Sequence, residues 1–138
     1  MDVIYIAGPM TGYPQFNFPA FEEAAAVLRA QGMEVISPHE LDSPEIKAAV
    51  KVSTDGKFGS DGKIGGETWG EILARDVKVV ADSVSGVALL PNWHHSKGAK
   101  LEVVVALLGG KNLYQYHTGA GITPLDRIWV KDVLYANL

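Results

Sequence analysis

Three short apolar runs each stop at a proline: Val3-Ile4-Tyr5-Ile6-Ala7 at Gly8-Pro9, Met33-Glu34-Val35-Ile36-Ser37 at Pro38, and Ser85-Gly86-Val87-Ala88-Leu89-Leu90 at Pro91. Proline has no N–H for a ladder and a fixed φ, so each run is cut off at its C-terminal end at a length that suits a buried strand better than a helix. Between the first two runs lies Pro19 to Gln31, with proline near its start, acids following and Gly32 closing it. This is the pattern of a capped helix whose apolar face is Phe21, Ala24, Ala25 and Leu28. Strand, helix and strand in that order require a right-handed crossover and parallel pairing.

The alternation continues. Trp69 to Ala81 has helical spacing, with Trp69, Ile72, Leu73, Val77 and Val80 on one side, and it leads into the third strand. A helix carrying Glu102 follows and closes at Gly109-Gly110, then Asn112 to Tyr116 forms a fourth strand. A last helix begins near Pro124 and carries Ile128, Trp129, Val133 and Leu134. The expectation is one α/β domain over residues 1–138, Rossmann-like or flavodoxin-like in three layers, with a mainly parallel sheet of four to five strands. Residues 42–66 depart from the alternation. They are rich in Ser, Thr, Asp, Lys and Gly, with Asp55-Gly56 and Asp61-Gly62 as turns and Val50, Val52, Phe58 and Ile64 as anchors, which reads as a hairpin or a mobile lid.

Composition removes several function classes. The chain has 138 residues, no cysteine and a formal net charge of −4. Disulfides and thiolate metal sites are excluded, and no basic footprint for a nucleic-acid polymer is present. No apolar run is long enough to cross a bilayer, and the N-terminus opens on a strand rather than a basic leader, so a cytoplasmic location is expected. His94-His95 lacks a third ligand at useful spacing, adjacent histidines tend to point apart, and His39-Glu40 is no better, so no metal is expected. Trp93 reads as an edge or a pocket wall.

In an open parallel sheet, ligands bind outside the carboxyl ends of the strands. Topology brings three segments there: the loop after strand one, the loop after strand three, and the start of the Glu102 helix. Gly8-Pro9-Met10-Thr11-Gly12 lacks the spacing of a dinucleotide fingerprint or a P-loop, and serves either as an anion cradle or as a tight turn. Ser96-Lys97-Gly98-Ala99 offers a hydroxyl, an ammonium and helix-start amides to a phosphate, or else Ser96 is only an N-cap. Glu102 is the first catalytic candidate: an acid in the opening turn or so of a helix followed by the apolar Val103 to Leu108, where the dipole favours the ionised form. Its plainer alternative is a surface ion pair with Lys97 or Lys100. Asp76, flanked by Arg75 and Lys78, reads from pattern alone as a surface residue.

Taken together, Tyr5-Ile6-Ala7-Gly8-Pro9-Met10, Asn17-Phe18-Pro19-Ala20-Phe21, Arg75-Asp76 and Ser96-Lys97-Gly98-Ala99-Lys100-Leu101-Glu102 resemble the nucleoside 2-deoxyribosyltransferase-like superfamily, in particular a compact phage and bacterial branch similar to deoxynucleoside 5′-monophosphate N-glycosidases. The resemblance runs from Tyr5 to about Tyr116. It implies cleavage of an N-glycosidic bond, with Glu102 as nucleophile, Asp76 as the acid that binds the base, and Tyr5 against the sugar 2′ position. It further implies a 5′-monophosphate substrate, because Ser96 stands where members acting on free nucleosides carry an aspartate. Gly8, Pro9, Met10, Thr11, Gly12, Asn17, Phe18, Ser96, Lys97 and Gly98 become candidate substrate contacts. No cofactor is implied, and a homo-oligomer is. Other readings keep the fold: a glycohydrolase acting on NAD or a ribonucleotide, or a nucleotide sensor without turnover. The residues 42–66 have no counterpart in the resemblance, and the base remains open.

Overall fold

A computed structural model describes residues 2–138. The main sheet contains β1 (Val3–Ala7), β2 (Glu34–Ile36), β5 (Gly86–Leu89), β6 (Asn112–His117) and β7 (Gly121–Pro124), and a separate small hairpin contains β3 (Lys63–Ile64) and β4 (Glu67–Thr68). The main sheet runs in the order β2-β1-β5-β6-β7, with β2, β1, β5 and β6 parallel and β7 antiparallel to β6. The helices are α1 (Phe18–Ala30), α2 (Pro38–Leu41), α3 (Pro44–Lys51), α4 (Trp69–Ser83), α5 (Lys97–Leu108) and α6 (Arg127–Ala136). The expected α/β class is therefore present, with five strands in the sheet.

Because β1 and β5 are covered on both faces, neither shows a simple apolar-polar alternation. Ile4 and Ile6 of β1 pack with Ala88 and Leu90 against Phe21, Ala24 and Leu28 of α1. Tyr5 and Ala7 face the other way, with Val87 and Leu89, toward Val80 of α4, Val103 and Ala106 of α5, and Val130 and Leu134 of α6. Full burial of each large aliphatic side chain contributes roughly 1.5–3 kcal/mol. These two layers hold the fold, whereas an exposed ion pair such as Lys78–Asp82 adds little.

Local chemistry sets the helix ends. Gly32 has φ +88°, its amide reaches the Arg29 carbonyl, and the Met33 amide reaches that of Leu28, which is a Schellman closure that needs a residue tolerant of left-handed backbone. Thr68 and Glu71 form a reciprocal capping box at the start of α4. Ser43, Ser96 and Asp126 cap α3, α5 and α6. Each such cap is worth about 1 kcal/mol.

Four expectations need correction. Residues 42–66 are not mainly hairpin: α3 occupies Pro44–Lys51, and only the two-residue strands β3 and β4 pair as a hairpin, with β4 lying just beyond. Ser43 caps α3, Pro44 starts it, and Ile46 and Val50 are buried one turn apart, whereas Val52 is exposed. The segment is seated on the β1–α1 loop through Gly12 N–H to Gly56 O at 2.8 Å and Gln15 N–H to Ser53 O at 2.9 Å, and through an edge-to-face contact of Phe16 with Phe58. Second, the last helix starts at Arg127, because Pro124 ends strand β7, and Ile128 and Trp129 are exposed. Third, Trp93 is buried in the core. Fourth, the rings of His94 and His95 lie against each other with centroids 4.1 Å apart, because a 3-10 turn over Trp93–His95 replaces the extended backbone that would separate them.

No described helix is long and apolar enough to cross a membrane.

Candidate active site

The order of the sheet reverses at β1, from which the chain passes first to β2 on one side and later to β5 on the other. At the C-terminal ends of these strands lies a cavity of about 430 Å³, a size that suits a small organic ligand. Gly8, Met10 and Thr11 of the β1–α1 loop line it, together with Phe18, the Ser96-Lys97-Gly98 start of α5, and both Asp76 and Glu102. Asp42, Ile46, Val50, Phe58 and Ile64 close it from the inserted segment.

Glu102 is the sixth residue of α5 and so sits in its second turn, on the buried side with Ala99, Val103 and Ala106. It is 6% exposed, which rules out the surface ion pair with Lys97 or Lys100. On the outer side of the helix Leu101 and Leu108 are exposed. Tyr5, fully buried on β1, donates its hydroxyl to Glu102 Oε2. Burial, then the neighbouring carboxylates, raise the Tyr5 phenol well above its ordinary range, so it remains a donor.

Burial also pushes the Glu102 carboxyl up to about 8, and the negative charge of Asp76 adds to the rise, against the Tyr5 hydrogen bond and Arg75. The helix dipole therefore does not decide the charge of Glu102; loss of water does. Asp76 is likewise buried, contrary to its surface reading, because α4 packs against α5 and turns that side chain into the cavity. Its carboxyl rises to about 6, chiefly through burial, with Arg75 opposing. Arg75 donates from Nε at 2.9 Å and Nη2 at 2.7 Å to Asp76 Oδ1, from Nη1 at 2.7 Å to Asp42 Oδ1, and from Nη2 to the Pro38 carbonyl. The bonds to the two acids are charge-assisted, join a half-buried guanidinium to two buried carboxylates, and fix the rotamers of both acids.

Ser96 lines the cavity and is also the N-cap of α5: its Oγ accepts the Ala99 amide at 3.2 Å. By helix geometry the amides of Lys97 and Gly98 have no intrahelical acceptor, which leaves a partial positive charge at this end of the site. Gly8 is held by space rather than conformation. A Cβ there would stand 2.7 Å from the Leu90 Cβ.

Four expected contacts lie outside the lining. Tyr5, expected against the sugar, is fully buried and spends its hydroxyl on Glu102. Pro9 is buried behind it. The Gly12 amide is spent on Gly56 O, and Asn17 turns its side-chain amide onto the Pro9 carbonyl at 2.9 Å. Gln15, Phe16 and Asn17 all have positive φ, and this unusual turn puts Phe16, not Asn17, against the cavity. Sequence reasoning missed Phe16, Asp42 and His95 as lining residues. Only Asp42 left a trace, as the acid that opens the polar segment.

Among the described residues no group of three or more His, Asp or Glu is placed to hold a metal ion.

The fold and the site define a doubly wound α/β protein with a carboxylate cluster lining a cavity at the switch point of its sheet, backed by a buried tyrosine. Residues 2–58 and 60–115 match the family model described as "Domain of unknown function (DUF4406)", and the chain belongs to that family. A comparison with curated proteins finds no match.

Proposed function

We propose that the protein cleaves, or exchanges the base across, the N-glycosidic bond of a 2′-deoxynucleoside 5′-monophosphate in the cytoplasm. The observation that carries this reading is the pair Glu102 and Asp76 on one cavity, with Tyr5 buried behind and bonded to Glu102, and with the cationic and amide-rich Ser96-Lys97-Gly98 one turn or more before Glu102 along α5. Two carboxyl groups beside one cavity supply a nucleophile and an acid, the minimum for glycosyl transfer with retention. Glu102 attacks C1′ as the carboxylate, forming a glycosyl ester as the C1′–N bond breaks. The bonding pair leaves with the base, and Asp76 gives its proton to the departing nitrogen. Water, or a second base, then attacks C1′ of the ester and returns the Glu102 carboxylate, with Asp76 accepting the incoming proton. Tyr5, buried outside the lining, holds Glu102 in position through its hydroxyl. The phosphate sits at the start of α5, where the helix dipole and Lys97 favour an anion.

Base release from a panel of deoxy and ribo monophosphates, free nucleosides and NAD tests this reading. Release from deoxynucleoside monophosphates first and fastest supports it. Release only from NAD or ribonucleotides, or binding without release, replaces it with one of the other two readings. A 2′-fluorinated substrate is expected to leave a sugar on Glu102 that mass spectrometry locates.

Ser96→Asp tests the phosphate end. A carboxylate about 4 Å from a phosphate costs about 1–4 kcal/mol per pair of unit charges, depending on the local dielectric. Monophosphate kcat/KM is therefore expected to fall by roughly 10- to 10³-fold relative to free nucleoside, and an unchanged ratio removes Ser96 from the phosphate site.

We also propose a homo-oligomer. Leu101 and Leu108 on α5, and Ile128, Trp129 and Tyr135 on α6, leave large apolar side chains exposed on helices that cover the same face of the sheet. Light scattering is expected to give at least twice the chain mass of 14.8 kDa.

A further inference from the structure

The wall of the cavity beneath the inserted segment carries hydrogen-bond acceptors and few free donors. Asp42 is 8% exposed and lines the cavity, and its Oδ1 accepts from Arg75. Asp76 receives both of its Arg75 bonds on one oxygen as well. Among the described residues, Oδ2 of neither acid accepts a hydrogen bond, yet no fully buried side-chain oxygen is left without a partner. Both Oδ2 atoms therefore keep access to open space, and both residues line the cavity. Arg75, the one cation in the cluster, spends four of its five N–H donors on Asp42, Asp76 and the Pro38 carbonyl. Phe16, Ile46, Phe58 and Ile64 on this wall offer a planar ring an apolar surface and no polar group, and Trp69, at the start of α4, adds one indole N–H donor.

We propose that Asp42 selects the base, so that the site takes a nucleobase bearing an exocyclic amino group and disfavours thymine and uracil. This rests on the reading of the substrate as a deoxynucleoside monophosphate. With Asp76 assigned to the departing nitrogen, Asp42 Oδ2 is the acceptor left for the edge of the base. A carboxylate only accepts when ionised, and Arg75 opposes the upward pull of burial on the Asp42 carboxyl. Adenine, guanine and cytosine each present N–H₂ to such an acceptor. Thymine and uracil present a single N–H between two carbonyl oxygens, which a carboxylate repels. A hydrogen bond to a charged group discriminates by about 10- to 100-fold. Asp42 opens the inserted segment, so the same segment that closes the cavity would also read the ligand.

The test is calorimetric binding of dAMP, dGMP, dCMP, dTMP and dUMP to the wild-type protein and to Asp42→Asn, with base release measured in parallel. The amide oxygen of Asn can still accept from Arg75, while its N–H₂ now faces carbonyl oxygens; Asp42→Ser is the second variant should the first not fold. The expected result is that at least one amino-bearing monophosphate binds about 10-fold or more tightly than dTMP and dUMP, and that the gap closes in the folded variant. Equal wild-type affinities, a gap unmoved by the variant, or no binding of any monophosphate overturns the proposal. Preserved selectivity without base release would instead remove the glycosidic reading and leave Asp42 in place.

Discussion

Glu102→Gln is expected to abolish base release and, at the same time, to make the protein harder to unfold at pH 8. The first effect follows from the chemistry proposed: an amide cannot attack C1′, and removal of a nucleophile costs roughly 10³-fold or more in turnover. The second follows from linkage. In the unfolded chain the Glu102 carboxyl titrates near 4.5, and in the fold it titrates near 8. Folding therefore binds its proton more tightly. The stability this gives is fully present below pH 4.5 and is lost progressively as pH rises toward 8, because the buried group must then either ionise without water or hold its proton against the solvent. Glutamine carries no such penalty, and its side-chain oxygen still accepts the Tyr5 hydroxyl. Each tenfold change in proton affinity corresponds to about 1.4 kcal/mol. Allowing for the repulsion that Glu102 shares with Asp76, the variant is expected to gain on the order of 3 kcal/mol at pH 8 and close to nothing at pH 4. Thermal melts of both proteins across that range measure it. A gap that stays constant with pH means that burial is not what holds the carboxyl up, and full turnover by the variant removes Glu102 as nucleophile.

That trade of stability for chemistry also shows where the sequence was legible. The strands could be read because proline and glycine punctuate them, and Gly32 closes α1 by a mechanism visible in the residue itself. The position of the site could be read because parallel topology alone brings the ends of β1 and β5 together. The burial of Asp76 could not. Its neighbours Arg75 and Lys78 look like surface partners, and only the packing of α4 on α5 shows that Arg75 turns inward while Lys78 pairs outward with Asp82. Asp42 was hidden for the same reason: its partner Arg75 stands 33 residues away in the chain. The turn at Gln15–Asn17 was missed because three consecutive non-glycine residues in left-handed backbone contradict local preference, and contacts with the inserted segment override that preference. Strand β7 was missed because the two turn glycines, Gly119 and Gly121, leave only Ile122-Thr123-Pro124 to announce it.

The pH dependence of wild-type turnover is expected to be a bell, and Asp76→Asn is expected to remove its alkaline limb. Burial raises both carboxyls, the Asp76 charge raises Glu102 further, and the two share one cavity, so they titrate as a pair with apparent values near 6 and 8. The chemistry needs one proton on the pair. Below pH 6 Glu102 has no charge with which to attack, and above pH 8 Asp76 has no proton to give, so kcat/KM peaks near pH 7. Arg75 bonds Asp76 and not Glu102, hence the single proton of the free protein rests mainly on Glu102. The reactive arrangement is the other one. A base nitrogen that accepts from Asp76 draws the proton across to it, so the substrate itself arms the nucleophile. With asparagine at position 76 that proton source disappears, and turnover of a natural monophosphate is expected to fall by roughly 10²- to 10⁴-fold. A substrate whose leaving group departs without protonation should be spared. For that substrate Glu102 titrates alone, relieved of the Asp76 charge and nearer to Arg75 in effect, so activity should rise through a value below 8 and then stay level. Persistence of the alkaline limb in Asp76→Asn would place the acid elsewhere, whereas its loss together with a spared activated substrate fixes Asp76 as the group that protonates the base.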